Sequence, residues 1–338
     1  MNQAAVLLSS SVASHSSSFG NSIGQYAKQL MNCQRRNMEA IYLLVISVLV
    51  FTSCKKNISI DFPSEHGSKL FIEGMLYPGQ PPKIFISKSN SFFSANVTPQ
   101  QVFARGAAVK ITTGTNMDLL VPDSTFNKFR CRWEPFYRGS VTAEYGKTYT
   151  LEVNFEGKTY TASATINQHK PVIESIEYTP EFFDAYGGHD GVIVKITDHP
   201  ATKDYYRFQM NRMIDKSVKH AHALDGLINN CASENELFPV TDIGRIVFTD
   251  ENADGKQLTM TIEVSYEYKK DDEGWVFIQS LDKNSADFYK ELDDQLQAIY
   301  NPFVEPVFLT TKIPGAVGVF GSAVLSDSVR FVYPQDNP

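Results

Sequence analysis

The 338-residue chain lacks most of what marks a catalyst or a nucleic-acid binder. From residue 54 onward it has no Gly-x-Ser-x-Gly, no His-Glu-x-x-His and no phosphate-cradling glycine loop, and the one Gly-x-Ser-x-Gly match, Gly20 to Gly24, falls in the Ser-rich stretch upstream, so nucleophilic, zinc-hydrolase and nucleotide chemistry have no foothold. It has no basic run: 31 Lys and Arg face 38 Asp and Glu, for a net charge of −7. Neutralising phosphates takes clustered cations, so no nucleic-acid partner is expected. Carboxylate pairs such as Asp271-Asp272-Glu273 and Asp293-Asp294 read as solvated charge in a turn and on a helix face. No enzyme activity and no cofactor are expected. Segments with helical periodicity are scarce, whereas 16 Tyr and 23 Phe are spread through the chain, which points to β structure.

Long apolar runs are also scarce. The exception is Ile41 to Cys54, IYLLVISVLVFTSC. Its apolar part has the length of a secretory h-region, well short of the roughly 20 residues that span a bilayer. Arg35 and Arg36 supply a positive start, Thr52 and Ser53 are small, and polar Lys55-Lys56-Asn57 follows. The expectation is a lipoprotein signal whose Cys54 is acylated, palmitate included, and becomes the new N-terminus. A buried core helix ahead of an ordinary cysteine fits that polar flank less well. Residues 1–30 are Ser-rich with no hydrophobic run of their own, and Met31 would open a compact signal. Residues 1–53 are therefore assigned to an upstream segment and signal peptide, with translation starting at Met31. Without Lys28, Arg35, Arg36 and Glu39, the basic count falls from 31 to 28 and the acidic count from 38 to 37, a net charge of −9.

After a tether at 54–68, strand-like runs follow at 69–76, 82–89, 107–114, 118–122 and 128–133. The clearest local structure is a hairpin at 147–166. Tyr149, Leu151, Val153 and Phe155 alternate with polar residues, as do Tyr160, Ala162, Ala164 and Ile166. A two-residue turn at Glu156-Gly157 pairs Val153 with Tyr160 and Leu151 with Ala162, which puts both apolar sets on one face. These features predict a mostly β protein, with an immunoglobulin-like β-sandwich over 69–168. Asn167 to Lys170, ahead of Pro171, is the proposed boundary. A second β-rich domain at 169–338 carries one amphipathic helix near 285–299, where Phe288, Leu292, Leu296 and Ile299 recur at helical spacing and Ser285 is the expected N-cap. Segments 89–103 and 215–242 read as loops.

Four cysteines are present. Cys33 leaves with the signal and Cys54 takes the lipid. Cys131 and Cys231 fall in different proposed domains, so two separate buried thiols are expected, although an oxidising compartment would permit a disulfide. Asp250, Asn252 and Asp254, with Gly255, match the first half of an EF-hand calcium loop. Position 12 is Thr261 rather than a glutamate and strand-like sequence flanks both sides, so an acidic turn is the stronger reading and no metal is expected. His220 and His222, with Cys231 or Asp225, lack a zinc spacing and read as surface residues. Two aromatic groups invite a ligand or partner, Phe92-Phe93 on a polar loop and Trp133, Phe136 and Tyr137 in WEPFY. The competing reading has them capping the sandwich core.

A resemblance runs through the chain. The stretches SKLFIEGMLYPGQPPKIFISKSNSFF, AAVKIT, YGKTYTLEVNFEGKTYTASATI, VKITDHPATKDYYRF, FTDENADGKQL and IYNPFVEPVFLTTKIPGAVGVF are, in that order, similar to the DUF4249 family of bacterial lipoproteins, found mainly in Bacteroidetes. The resemblance implies a two-part, mostly β outer-membrane lipoprotein, commonly associated with TonB-dependent receptor loci, with no enzymatic activity and no established ligand. It implies a non-catalytic accessory or binding partner of a TonB-dependent transporter, lipid-anchored in the outer membrane through Cys54. The alternative is a stand-alone carbohydrate- or peptide-binding lipoprotein. Lys55-Lys56-Asn57 stands where acidic residues often follow a surface-export signal, so both the surface and the periplasmic face stay open.

Overall fold

A computed structural model describes residues 68–90, 97–184, 187–218, 231, 233, 235–264, 266–300, 303, 305 and 307–336. The signal with Cys54, the Phe92-Phe93 pair, and His220, His222 and Asp225 lie outside them. Gly67–Pro338 forms one compact unit. No helix among the described residues is long and apolar enough to cross a membrane.

The protein is mostly β. The strands of the first half are β1 (Leu70–Leu76), β2 (Lys83–Lys88), β3 (Ala108–Thr113), β4 (Asn116–Asn127), β5 (Arg132–Arg138), β6 (Thr148–Phe155) and β7 (Lys158–Thr165), with a one-turn helix α1 (Pro99–Val102) inside the expected 89–103 loop. The second half contributes β8 (Val172–Asp184), β9 (Gly187–Thr197), β10 (Tyr205–Ile214), β11 (Phe238–Thr249), β12 (Gln257–Ile262), β13 (Glu273–Leu281), helix α2 (Lys283–Tyr300), β14 (Val317–Leu325) and β15 (Val329–Val332). One continuous path runs β11-β10-β13-β14-β1-β2-β5-β4-β3-β6-β7, with β15 beside β13; β12-β9-β8 forms a separate sheet.

The β6–β7 hairpin has the expected register, Val153 opposite Tyr160 and Leu151 opposite Ala162. Glu156 and Gly157 both sit at positive φ, as a two-residue turn matching strand twist requires. Tyr149, Leu151, Val153, Tyr160 and Ala164 join Ile72, Ile84, Ile86, Val109, Ile111 and Phe320 in one core. The alternation of β1, β2, β3 and β6 thus closes a two-layer, sandwich-like arrangement. β4 exchanges partners along its length. Asn116 to Leu120 pairs with β3, and Val121 to Asn127 pairs with β5. Pro122 falls at the exchange, where a missing N–H costs least. Of the run at 128–133 only Arg132 and Trp133 are strand, the start of β5. Lys128 to Cys131 form the turn of the β4–β5 hairpin, and Cys131 takes a positive φ.

A second core lies between β8-β9-β12 and β10-β13-β15. Val192, Val194, Ile196, Met260 and Ile262 face Tyr206, Phe208, Met210, Val276, Ile278 and Phe331. Two features tie the halves on either side of residue 168. β1 pairs with β14 in parallel, Phe71 opposite Val317 through Leu76 opposite Ser322. Gly318 sits at φ +125 over β1, where a Cβ would run into the Ile72 carbonyl. In addition, Gln168 is buried at the boundary segment and accepts from Ser322 Oγ at 3.2 Å.

Helix α2 covers the outer face of β14 and β1. Phe288 and Tyr289 pack with Val319, Ala323, Leu281, Phe71 and Met75. β14 is therefore covered on both sides, which explains its unbroken small and apolar run VGVFGSAVL. The helix begins two residues earlier than expected. Asp282, not Ser285, holds its first turn, since Asp282 Oδ1 accepts Ser285 N at 3.1 Å and Oδ2 accepts Ser285 Oγ at 2.7 Å. The carboxylate carries full charge where the helix end is positive, so it outcompetes the hydroxyl.

Candidate functional site

Among the described residues, three carboxylates converge where β9 and β11 end and β10 begins. Asp198, Asp204 and Asp250 are all buried, and one carboxylate oxygen from each lies within 4.8 Å of the others. Asp198 follows β9, Asp204 precedes β10 and Asp250 follows β11. Each stands where the ladder gives way to a turn, so its side chain is free to serve backbone N–H groups that the ladder leaves unpaired. Asp250 Oδ2 accepts Asp204 N at 3.0 Å. Asp198 Oδ2 accepts Gly255 N at 2.9 Å and Oδ1 accepts the Tyr206 hydroxyl at 2.6 Å. Asp204 Oδ2 accepts Thr202 Oγ1 at 2.7 Å.

The electrostatics follow from this packing. Burial pushes the Asp250 carboxyl above the ordinary carboxylate range. The Asp204 N–H opposes that shift, and the charges of Asp198 and Asp204 add to it. Tyr206 is raised well above an ordinary phenol, first by burial and then by its bond to Asp198, so it remains a donor. His169, in the boundary segment, has Nδ1 4.0 Å from Asp204 Oδ2. Its ring stacks on that of His199 at 3.5 Å and 4°.

Three converging carboxylates form the donor set of a hard cation. Their present hydrogen bonds also account for them as a knot that fixes three turns. Of the residues of the EF-hand-like stretch, only Asp250 joins the trio. Asn252 and Asp254 are exposed, and Asp254 Oδ1 instead accepts Ala201 N at 2.7 Å. The strand on each side turns those side chains outward, so the ligand set expected of a helix-flanked loop does not assemble. Asp198 and Asp204 were missed as partners of Asp250. Their signal was a carboxylate at the mouth of each strand-like run, in TDHPATKD and TDENADG.

The aromatic candidates separate. Tyr137 is 1% exposed, donates to Ala104 O at 2.8 Å and accepts Ala107 N at 3.0 Å. Phe136 is also buried, 5.7 Å from Phe85. Both alternate into covered positions along β5, which removes them from contact with a partner. Trp133 remains half exposed, edge-on to Phe126 at 5.3 Å.

The expectation for the cysteines is overturned. Cys131 and Cys231 are joined, with Cα atoms 5.2 Å apart. The β4–β5 turn reaches a separate small apolar cluster at the paired ends of β10 and β11. Phe129 packs with Ile214, Phe238 and Val240, and Tyr266 stands edge-on to it at 5.0 Å. Cys231 N donates to Lys128 O at 3.1 Å, and Lys128 pairs with Glu236. Sequence spacing concealed the bond because 100 residues separate the partners.

The described residues form a mostly β, sandwich-like protein with a buried carboxylate trio at its strand ends. The profile of one family, described as a domain of unknown function, DUF4249, matches residues 55–327, and the chain belongs to this family. No curated protein and no solved structure matches it significantly.

Proposed function

We propose that the protein is a non-catalytic outer-membrane lipoprotein, held by lipid on Cys54, that serves as an accessory or binding partner of a TonB-dependent transporter. The observation that carries the reading is where the family match begins. It starts at residue 55, one residue after the cysteine that the signal pattern selects for acylation. The region shared by the family is thus what would remain after signal cleavage. The Cys131–Cys231 bond favours the same reading, because disulfides persist in oxidising compartments outside the cytoplasm. Replacing Cys54 by Ala tests the anchor. The variant leaves the outer-membrane fraction, and retention there would place the anchor elsewhere. Purification from detergent-solubilised outer membrane tests the partnership: a barrel receptor co-purifies, and its consistent absence counts against the accessory role.

The exposed Phe126–Trp133 pair favours a second reading, a stand-alone carbohydrate- or peptide-binding lipoprotein. An aromatic face beside a polar hairpin suits a sugar ring or an apolar side chain. A glycan array with the unlipidated 55–338 chain separates the two, because only this reading predicts binding without a barrel partner.

A further inference from the structure

Helix α2 does not run directly into β14. The segment 307–312 turns back alongside the helix and is fixed to it. Gln295 Nε2 donates to Val307 O at 3.0 Å. Thr310 N donates to the Glu291 carboxylate at 2.7 Å, and Lys312 Nζ pairs with Glu291 at 3.1 Å. Leu309 packs into the helix–sheet core. Between these fixed points Phe308 is 81% exposed, and Phe303, five residues earlier, is 95% exposed. An exposed phenylalanine on a flexible loop can fold back onto apolar surface. Here the bonds at Val307 and Thr310 hold the backbone on both sides of Phe308, so its ring stays in solvent.

The position of this segment selects an occupant. It delivers the chain to Ile313, which is buried, and then to the start of β14. β14 and β1 are parallel with Phe71 opposite Val317, so both strands begin at the same end of the sheet. That end is where the chain from Cys54 enters. Helix α2 runs toward that same end, from Ser285 beside Met75 to Phe288 against Phe71, so Phe308, between the points fixed to Gln295 and Glu291, lies past it, and the chain from Lys55 to Gly67 can extend over at most roughly 45 Å. A bilayer that holds Cys54 is therefore within reach of the end of the molecule that presents Phe308. A lipid on one residue limits distance but leaves the body free to rotate. A second apolar contact at the same end would set its orientation.

We propose that Phe308, together with the exposed Phe303, inserts into the lipid headgroup–acyl boundary and orients the body against the membrane that holds Cys54. The inference rests on the lipid-anchored reading and deepens it. The test uses the full lipidated chain in vesicles of phosphatidylethanolamine and phosphatidylglycerol with brominated acyl chains, which quench tryptophan on contact. Flotation with the vesicles reads the anchor. Quenching of Phe308→Trp, against the wild-type baseline from Trp133 and Trp275, reads the insertion. Trp275 pairs with Arg330 beyond the far end of β14, so it reports the opposite end. The expected result is flotation of both proteins, with most of the added emission of Phe308→Trp lost and the baseline little changed. Phe303→Trp behaves likewise. Flotation with unquenched Trp at both positions overturns the inference and leaves the anchor standing, an outcome that includes use of this surface by a protein. Failure to float overturns the anchored reading itself.

Discussion

Removing the Cys131–Cys231 bond should destabilise the protein strongly while leaving its folded structure in place. The double variant Cys131→Ser/Cys231→Ser breaks one covalent bond, but the contacts around it do not depend on sulfur. Phe129 stays among Ile214, Phe238 and Val240, and Cys231 N still faces Lys128 O. The effect therefore falls on the unfolded chain, which regains the freedom lost by closing a loop across 100 residues. Loop-closure entropy for that length is about 4.7 kcal/mol at 25 °C, and native disulfides removed from domains commonly cost about 2–5 kcal/mol. A loss of about 4 kcal/mol is expected. At roughly 2–4 °C per kcal/mol for large domains, the melting temperature drops by about 10 °C. Urea unfolding followed by tryptophan emission is the assay, since Trp133 lies on the clamped hairpin and Trp275 on β13. Both tryptophans should report one transition, with an unchanged native spectrum and a steeper urea dependence, because the uncrosslinked unfolded state exposes more surface. A loss below about 1 kcal/mol would refute the reasoning. So would a native spectrum that changes at Trp133, which would mean that the bond holds the hairpin in place.

Two further perturbations probe the core and the trio. Asp250 has a folded-state pKa above its ordinary value of 3.8, so the folded protein binds a proton more readily than the unfolded one. The stability this contributes is complete below about pH 3.8 and is lost as pH rises through the folded value. Asp250→Asn keeps an oxygen for the Asp204 N–H and removes the charge. In chelator at neutral pH it should melt above the wild type, with the gap closing in acid; a lower melting temperature at neutral pH would show that the charge is compensated. Gly318→Ala places a methyl group against the Ile72 carbonyl at a φ of +125, and backbone must move to admit it. A loss of about 3 kcal/mol or more in urea unfolding is expected, and a change within about 1 kcal/mol would contradict the close β1–β14 approach.

The elements that the sequence disclosed best are those whose pattern closes locally. The β6–β7 register followed from period-2 alternation and a turn that permits positive φ, because a slip by one residue would expose Tyr149, Leu151 and Val153 together. Helix α2 was visible for the same reason at the helical period. Its cap was misplaced by three residues, because a serine and an aspartate both fit the role and only the tertiary position of Asp282 against Ser322, whose N–H it accepts, separates them. The β4–β5 hairpin was misread because its turn, KFRC, is apolar and cationic rather than rich in glycine or asparagine. That composition belongs to its destination. Phe129 fills a distant core, Lys128 meets Glu236 and Cys131 meets Cys231, none of which is a local constraint.

The buried trio was half visible, and what was missing is instructive. Asp250 attracted notice through its neighbours Asn252 and Asp254, which proved to be exposed turn residues. Its real partners lie 46 and 52 positions earlier, and nothing in the sequence measures how three strand ends converge. The two stretches that contain them, VKITDHPATKDYYRF and FTDENADGKQL, both carry the family resemblance. Burial raises the Asp250 carboxyl above its ordinary value, and the charges of Asp198 and Asp204 add to that cost. Thr202, Tyr206 and the N–H groups of Asp204 and Gly255 offset part of it. The β1–β14 pair, the Gln168–Ser322 bond and the Cys131–Cys231 clamp join the two halves at three separate places. A rigid body of that kind suits a protein that must present a fixed face to a membrane or a partner, because a second contact can orient the whole body only if its halves do not move independently.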